Sequence, residues 1–220
     1  MTISAAMTLD GKIATASGDS GISSHQDRVR VHRMRAESDA IVVGISTILA
    51  DDPLLTVRFA RGKNPTRIIV DSQARIPLES KIIRTSGKVM TIIAVTRGAP
   101  QEKVEKIRDS GAEVLVTGEG SGFSAAVPRG VNLKELFAKL QELGFENVLV
   151  EGGGELNWSL IQLGIVDRII VTVAPKIVGG RLATTLVEGD GVSRISDGIG
   201  LRLRRVQRTE TGELVLDYST

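Results

Sequence analysis

Short runs of apolar residues alternate along the chain with longer stretches in which apolar positions recur at helical spacing. Residues 2–7 alternate as a strand does and lead into Asp10-Gly11, a turn pair. Ser24 has the side chain of a helix N-cap, with Asp27 three residues on in a variant of the capping box. The arginine-rich helix that it opens is expected to reach about Ser38. Residues 40–45 are continuously apolar, the mark of a strand buried on both faces. Residues 46–53 read as a short polar helix or loop, and residues 66–71 as another buried strand.

The alternation then repeats. A strand over 89–95, a helix over 101–110, a strand over 113–117 and a loop over 118–122 precede a helix over 133–143. That helix carries Leu133, Leu136, Phe137, Leu140 and Leu143 at helical spacing. A strand over 147–151 runs into Gly152-Gly153-Gly154, followed by a helix over 156–163 and a strand over 168–174 that Pro175 ends. Residues 201–208 and 213–218 alternate around Glu210-Thr211-Gly212, an antiparallel hairpin pattern. Buried strands separated by helices specify an α/β fold, with a mainly parallel central sheet flanked by helices and an antiparallel hairpin at its C-terminal edge. No repeat or linker-like tract divides the chain, so residues 1–220 are expected to form one domain.

Ligands of open α/β sheets bind beyond the carboxyl ends of the strands, and the unusual residues fall in those loops. In Glu151-Gly152-Gly153-Gly154-Glu155, glycines between strand and helix let the backbone approach a ligand while the helix N-terminus offers free amides to an anion. The spacing matches neither the dinucleotide fingerprint nor a P-loop, and a plain tight turn fits it equally well. In the stretch from Gly44 to Arg58, Thr47 near a helix start can offer a hydroxyl and Arg58 can pair with a phosphate. Asp51-Asp52-Pro53 reads as turn chemistry rather than a metal site, because adjacent side chains diverge. Arg28, His32 and Arg35 share one side of the basic helix, either as a solvated charged face or with Arg35 turned toward a substrate anion.

Composition narrows the chemistry. The chain has no cysteine, which excludes disulfides, thiolate nucleophiles, iron–sulfur clusters and a cysteine-ligated zinc deaminase site. Two histidines, His25 and His32, make a histidine-rich metal centre improbable, and no metal is expected. With 28 basic and 26 acidic side chains and 3% aromatic residues, neither a basic tract nor a stacking platform points to nucleic acid. No apolar run approaches a membrane span and no signal peptide is visible, so a cytoplasmic location is expected. These features reach an α/β domain with a phosphate-bearing ligand; they do not name a reaction.

Taken together, several segments resemble the riboflavin-biosynthesis reductase family, whose fold is dihydrofolate-reductase-like. The segments are Met7-Thr8-Leu9-Asp10-Gly11-Lys12-Ile13-Ala14, Asp19-Ser20-Gly21-Ile22-Ser23, Arg35-Ala36, the Gly44 to Arg58 stretch, Pro65-Thr66-Arg67-Ile68-Ile69-Val70-Asp71-Ser72, Leu149-Val150-Glu151-Gly152-Gly153-Gly154 and Ala174-Pro175-Lys176-Ile177-Val178-Gly179-Gly180. The resemblance runs from about Ile3 to Pro175 and more loosely to the end. Gly21 stands where several bacterial relatives carry an aromatic residue, and the chain is more similar to the stand-alone archaeal and fungal reductases.

This resemblance implies reduction of 2,5-diamino-6-ribosylamino-4(3H)-pyrimidinone 5′-phosphate to its ribitylamino form, by hydride transfer to C1′ from NADPH, with NADH as the alternative. It implies cofactor contacts from Thr47, Asp51, Asp71, Ser72, Gly152, Gly153, Gly154 and Glu155. Substrate contacts fall to Ser20, Arg35, Leu55, Arg58 and Glu151, with Arg35 and Arg58 suited to the 5′-phosphate. Lys12 and Glu151 are the candidates for proton handling. It also implies a homodimer, no nucleic-acid or membrane partner, and deamination left to another protein. Two competing readings are a dihydrofolate-type reductase of the same fold and a nucleotide-binding protein without turnover. The first wants a carboxylate on the first long helix, where Glu37 stands near the end. The second would show a broken ligand set.

Overall fold

A computed structural model of the chain describes residues 1–118 and 130–220. Its described strands form one nine-stranded sheet: β1 (Thr2–Thr8), β2 (Ala40–Gly44), β3 (Thr66–Val70), β4 (Thr91–Val95), β5 (Glu113–Val116), β6 (Val148–Val150), β7 (Arg168–Ala174), β8 (Arg202–Arg208) and β9 (Leu214–Ser219), in the order β5-β4-β3-β2-β6-β1-β7-β9-β8. Strands from β5 to β7 pair in parallel, while β9 runs antiparallel to β7 and β8 to β9. Six helices connect them: α1 (His25–Ala36), α2 (Ile45–Asp51), α3 (Lys81–Arg84), α4 (Gln101–Asp109), α5 (Leu133–Glu142) and α6 (Gly154–Gln162). The expected fold class is the one observed. The expected loop over 118–122 lies, after Gly118, outside the described residues.

The central strands are apolar on both faces because both are covered. One core contains Ile3, Val42, Ile68, Val150, Leu136 and Leu160; the other contains Ile41, Val43, Ile69, Ile93, Ile82 and Ile107. Successive residues of β2 and β3 therefore alternate between two cores rather than between core and water.

Several boundaries differ from the expected ones for physical reasons. α1 ends at Ala36, with Glu37 as its C-cap, rather than at Ser38. Its N-cap is Ser24, whose hydroxyl accepts from the Asp27 amide at 3.1 Å, but Asp27 does not complete a capping box. The Ser24 amide instead donates to Glu213 Oε1 at 2.8 Å, and Asp27 accepts from Ser23, Arg30 and Thr172. α6 begins at Gly154, two residues before the expected start, because Gly153 serves as the N-cap. The sequence reading lacks α3, a single turn capped by Ser80 and too short to show a period, and the 3-10 turn Ile195–Asp197.

Candidate active site

At the carboxyl ends of β2 and β6, adjacent strands in mid-sheet, a cavity of about 630 Å³ opens. α1, the segment Pro53 to Phe59, α2 and the start of the Gly152-Gly153 turn line it. Ser4 and Ala6 of β1, Ile13, Ser20 and Thr184 complete it.

α1 contributes an unusual wall. Its buried residues are Asp27, His32 and Arg35, with no apolar residue among them. A helix that lines a polar site has no reason to show an apolar stripe, so the solvated-face reading of this helix does not hold. Arg35 reaches Glu151 with both arms, Nε to Oε1 at 2.7 Å and Nη2 to Oε2 at 2.6 Å, and its Nη1 donates to the Thr56 carbonyl at 3.0 Å. The fork-to-fork pair occupies two of the five guanidinium N–H groups and the Thr56 carbonyl a third, so two are without a protein partner among the described residues. Arg58 is exposed at the mouth and bonded at Nη1 to Thr56 Oγ1 at 3.2 Å. Burial and the nearby Arg35 charge lower its pKa, opposed by Glu151. A dianionic group would relieve that repulsion.

Elsewhere in the lining, Ser20 Oγ donates to Asp51 Oδ2 at 2.9 Å, tying the 15–23 loop to the end of α2. Asp52, at φ 40°, turns away and accepts from the Lys81 amide at 2.8 Å, so the two adjacent carboxylates do diverge. The three glycines have different reasons to be there. Gly152 and Gly153 sit at φ 111° and 101°, where a side chain would be strained, and a Cβ on either would meet open space. Gly154 is needed for close packing: a Cβ there would lie 2.7 Å from the Thr185 carbonyl and 2.6 Å from Glu188 Cγ.

Of the residues implied by resemblance, Ser20, Arg35, Thr47, Asp51, Leu55, Arg58, Glu151, Gly152 and Gly153 line this one cavity. Lys12, Asp71, Ser72, Gly154 and Glu155 do not. Lys12 Nζ donates to the Ala183 carbonyl at 3.1 Å, beside the lining residues Ile13 and Thr184. Asp71 is fully buried and staples the turn after β3 through the Ile76 amide at 2.8 Å, with Arg75 Nε 3.5 Å away. The Ser72 carbonyl accepts from the Thr96 amide and hydroxyl at the ends of β3 and β4. Glu155 is exposed in the first turn of α6. The sequence reading did not assign His32, Phe59, Ser4 or Thr184 to the site. The spacing of Arg28, His32 and Arg35 on one helical side was the available signal for the first of these. Thr184 lies in a stretch without periodicity.

Fold and site define an α/β domain with a cavity that opens where central parallel strands end, lined by arginines, glycines and hydroxyls. The model of the RibD C-terminal domain matches residues 1–216, and the chain belongs to that family. It is 45% identical to the 2,5-diamino-6-ribosylamino-4(3H)-pyrimidinone 5′-phosphate reductase of Methanothermobacter thermautotrophicus, over 99% of this chain and 96% of that protein. It is 39% identical to the riboflavin biosynthesis protein RibD of Actinobacillus pleuropneumoniae, over 97% of this chain but 54% of that protein. Among solved structures, Acinetobacter baumannii RibD superposes with a TM-score of 0.80 at 26% identity, over 99% of this chain and 56% of that one. The chain thus spans about half the length of the RibD proteins it matches. The architecture is the dihydrofolate-reductase-like one of their reductase domains.

Proposed function

We propose that the chain reduces 2,5-diamino-6-ribosylamino-4(3H)-pyrimidinone 5′-phosphate to its ribitylamino form in riboflavin biosynthesis. The full-length relative of that name supports the reaction. The observation that carries it to this chain is a single cavity lined by Arg35, Arg58 and Glu151 together with Thr47, Asp51, Gly152 and Gly153. Phosphorylated sugar and dinucleotide need such unlike groups side by side.

A nicotinamide cofactor fits the glycine and hydroxyl part of the lining. The open space beside Gly152 and Gly153 and the hydroxyl of Thr47 suit a pyrophosphate and a ribose. When bound, the cofactor supplies the hydride that C1′ receives. NADPH is the proposed form, with NADH as the alternative; Arg75, half exposed beside Asp71, and Arg97 are the two candidates for a 2′-phosphate contact.

The chain's own residues have three tasks. Arg58, with the two unoccupied N–H groups of Arg35, holds the 5′-phosphate. Glu151, oriented by Arg35, faces the sugar. Opening the ring moves a proton from the glycosylamine nitrogen to O4′ as the C1′–O4′ bond breaks, and reduction returns one to the nitrogen. Glu151, which lines the cavity, is the first candidate to carry that proton, and Lys12, one residue from the lining, is the second. The test is single-turnover reduction in Glu151→Gln and Lys12→Met: a fall of about 100-fold or more in at least one is expected, and near-wild-type rates in both would remove the assignment. Against dihydrofolate the enzyme is expected to be inactive; turnover of dihydrofolate in place of the pyrimidine would favour the competing reductase reading.

A cytoplasmic homodimer of single-domain chains completes the proposal. None of the described helices is long and apolar enough to cross a membrane. Trp158 and Ile161 of α6, with Ile199, Leu201 and Leu216, line an apolar cleft of about 530 Å³, and Leu203 and Val206 are exposed on the edge strand β8. A second copy of the chain is the proposed cover for it.

A further inference from the structure

The segment that carries Arg58 has little structure of its own. Among the described residues, no backbone–backbone hydrogen bond involves residues 53–65. Side chains hold it instead: Arg67 donates to the Leu54 carbonyl, Arg35 to the Thr56 carbonyl, and Asn64 Oδ1 accepts from the Val57 amide. At Arg58 itself the anchor is His32. Its Nδ1 accepts from the Arg58 amide at 2.8 Å and from the Phe59 amide at 3.4 Å. The Phe59 ring stands edge-on to the imidazole at 4.7 Å.

We propose that His32 is a positioning residue for anion recognition: by accepting the Arg58 and Phe59 amides on Nδ1, it holds the Arg58 guanidinium at the cavity mouth. The proposal rests on the reading of Arg58 as the grip for the 5′-phosphate.

The surroundings suit this role. His32 is 4% exposed. Arg28 and Arg35 flank it on its own helix, Arg58 faces it from the 53–65 segment, and Glu151, at the end of β6, is paired with Arg35. His25 lies beyond the Phe59 ring. Burial, with the charges of Arg35 and Arg58, holds the imidazole pKa near 4. At neutral pH the ring is therefore uncharged, with a free lone pair on Nδ1 and its proton on Nε2. A protonated ring would have nothing with which to accept the two amides and would add a third cation beside Arg35 and Arg58.

Two variants of similar polarity separate this role from a merely structural one. In His32→Asn the side-chain oxygen falls near the place of Nδ1, whereas in His32→Gln it falls near Nε2. With the phosphorylated pyrimidine, His32→Gln is expected to raise KM by about 10-fold with kcat within about 2-fold, and His32→Asn to stay within about 3-fold of wild type in both. Inhibition by ribose 5-phosphate should weaken in parallel in His32→Gln, while inhibition by ribose should not change. Equal effects of Asn and Gln, or a loss in kcat rather than KM, would overturn the proposal. Arg58→Ala distinguishes its failure from that of the underlying reading. If Arg58→Ala leaves KM for the phosphorylated substrate unchanged, the grip assignment fails. If it raises KM while His32→Gln does not, the grip stands and the His32 proposal fails.

Discussion

The arrangement of Arg35, Glu151 and Arg58 decides how the site can meet an anion. A guanidinium already locked to a carboxylate offers direction rather than net charge, so in the proposed grip Arg58, without an ion pair among the described residues, is assigned most of the attraction. Arg58→Ala is expected to raise KM for the phosphorylated substrate by about 10- to 100-fold, with a smaller effect on kcat, in steady-state assays. Glu151→Gln should also cost stability, by about 3 kcal/mol in chemical denaturation, because it leaves Arg35 largely buried without its partner. His32 contributes a pH dependence whose sign is set by its lowered pKa. Its folded pKa is about 4 against an ordinary 6.5, so the unfolded chain takes up a proton first as pH falls. Its contribution is fully present above about pH 6.5 and is lost progressively as pH falls through 4. The urea midpoint of the wild type is therefore expected to drop more between pH 7 and pH 5 than that of His32→Asn, and equal drops would contradict the burial of a neutral ring.

Elements here are shaped by what they must line or carry. α6 starts early because Gly153 can adopt φ 101° and because Gly154 lets the helix pack on the Thr185–Glu188 backbone. Gly154→Ala is expected to destabilise by about 1–3 kcal/mol through overpacking, measured by thermal or urea unfolding. Arg67 plays a similar part for β3. It is fully buried, with no carboxylate among its hydrogen-bond partners in the described residues, and serves Thr91, Thr85 and the carbonyls of Leu54, Ile82 and Val89. Burial lowers its pKa to about 10, so the charge is retained at a desolvation cost that these partners offset. Arg67→Met is expected to lower stability by about 2–4 kcal/mol and to loosen the 53–65 segment, since three carbonyls lose their donor. Proteolysis within that segment would report the loosening.

Much of the molecule was legible from the chain, and the failures have causes. Strands buried on both faces announce themselves as unbroken apolar runs, so β2, β3, β4 and β7 were visible, as was α5 through its leucines. α1 was visible as a helix but not as a site wall, because a face built of Asp27, His32 and Arg35 looks like surface until the fold buries it. α3 is one turn and has no period to read. The cavity was legible only in pieces. Thr47, Arg58 and the glycine turn were conspicuous residues in separate loops, and resemblance joined them before geometry did. His32 acts through backbone amides, which no residue type advertises.

At the scale of the whole chain, the apolar cleft beside α6 and the exposed edge of β8 predict a sedimentation mass of twice 23.5 kDa, with Val206→Asp shifting it toward the single-chain value. Reduction at C1′ is the central claim, and isotope transfer tests it most directly. The enzyme would be incubated with the phosphorylated ribosylaminopyrimidine and nicotinamide cofactor deuterated at the transferable position, and the product examined by NMR. One deuterium at C1′ of an opened ribityl chain is the expected result. Cofactor oxidation without label at that carbon, or none at all with either NADPH or NADH, would contradict it.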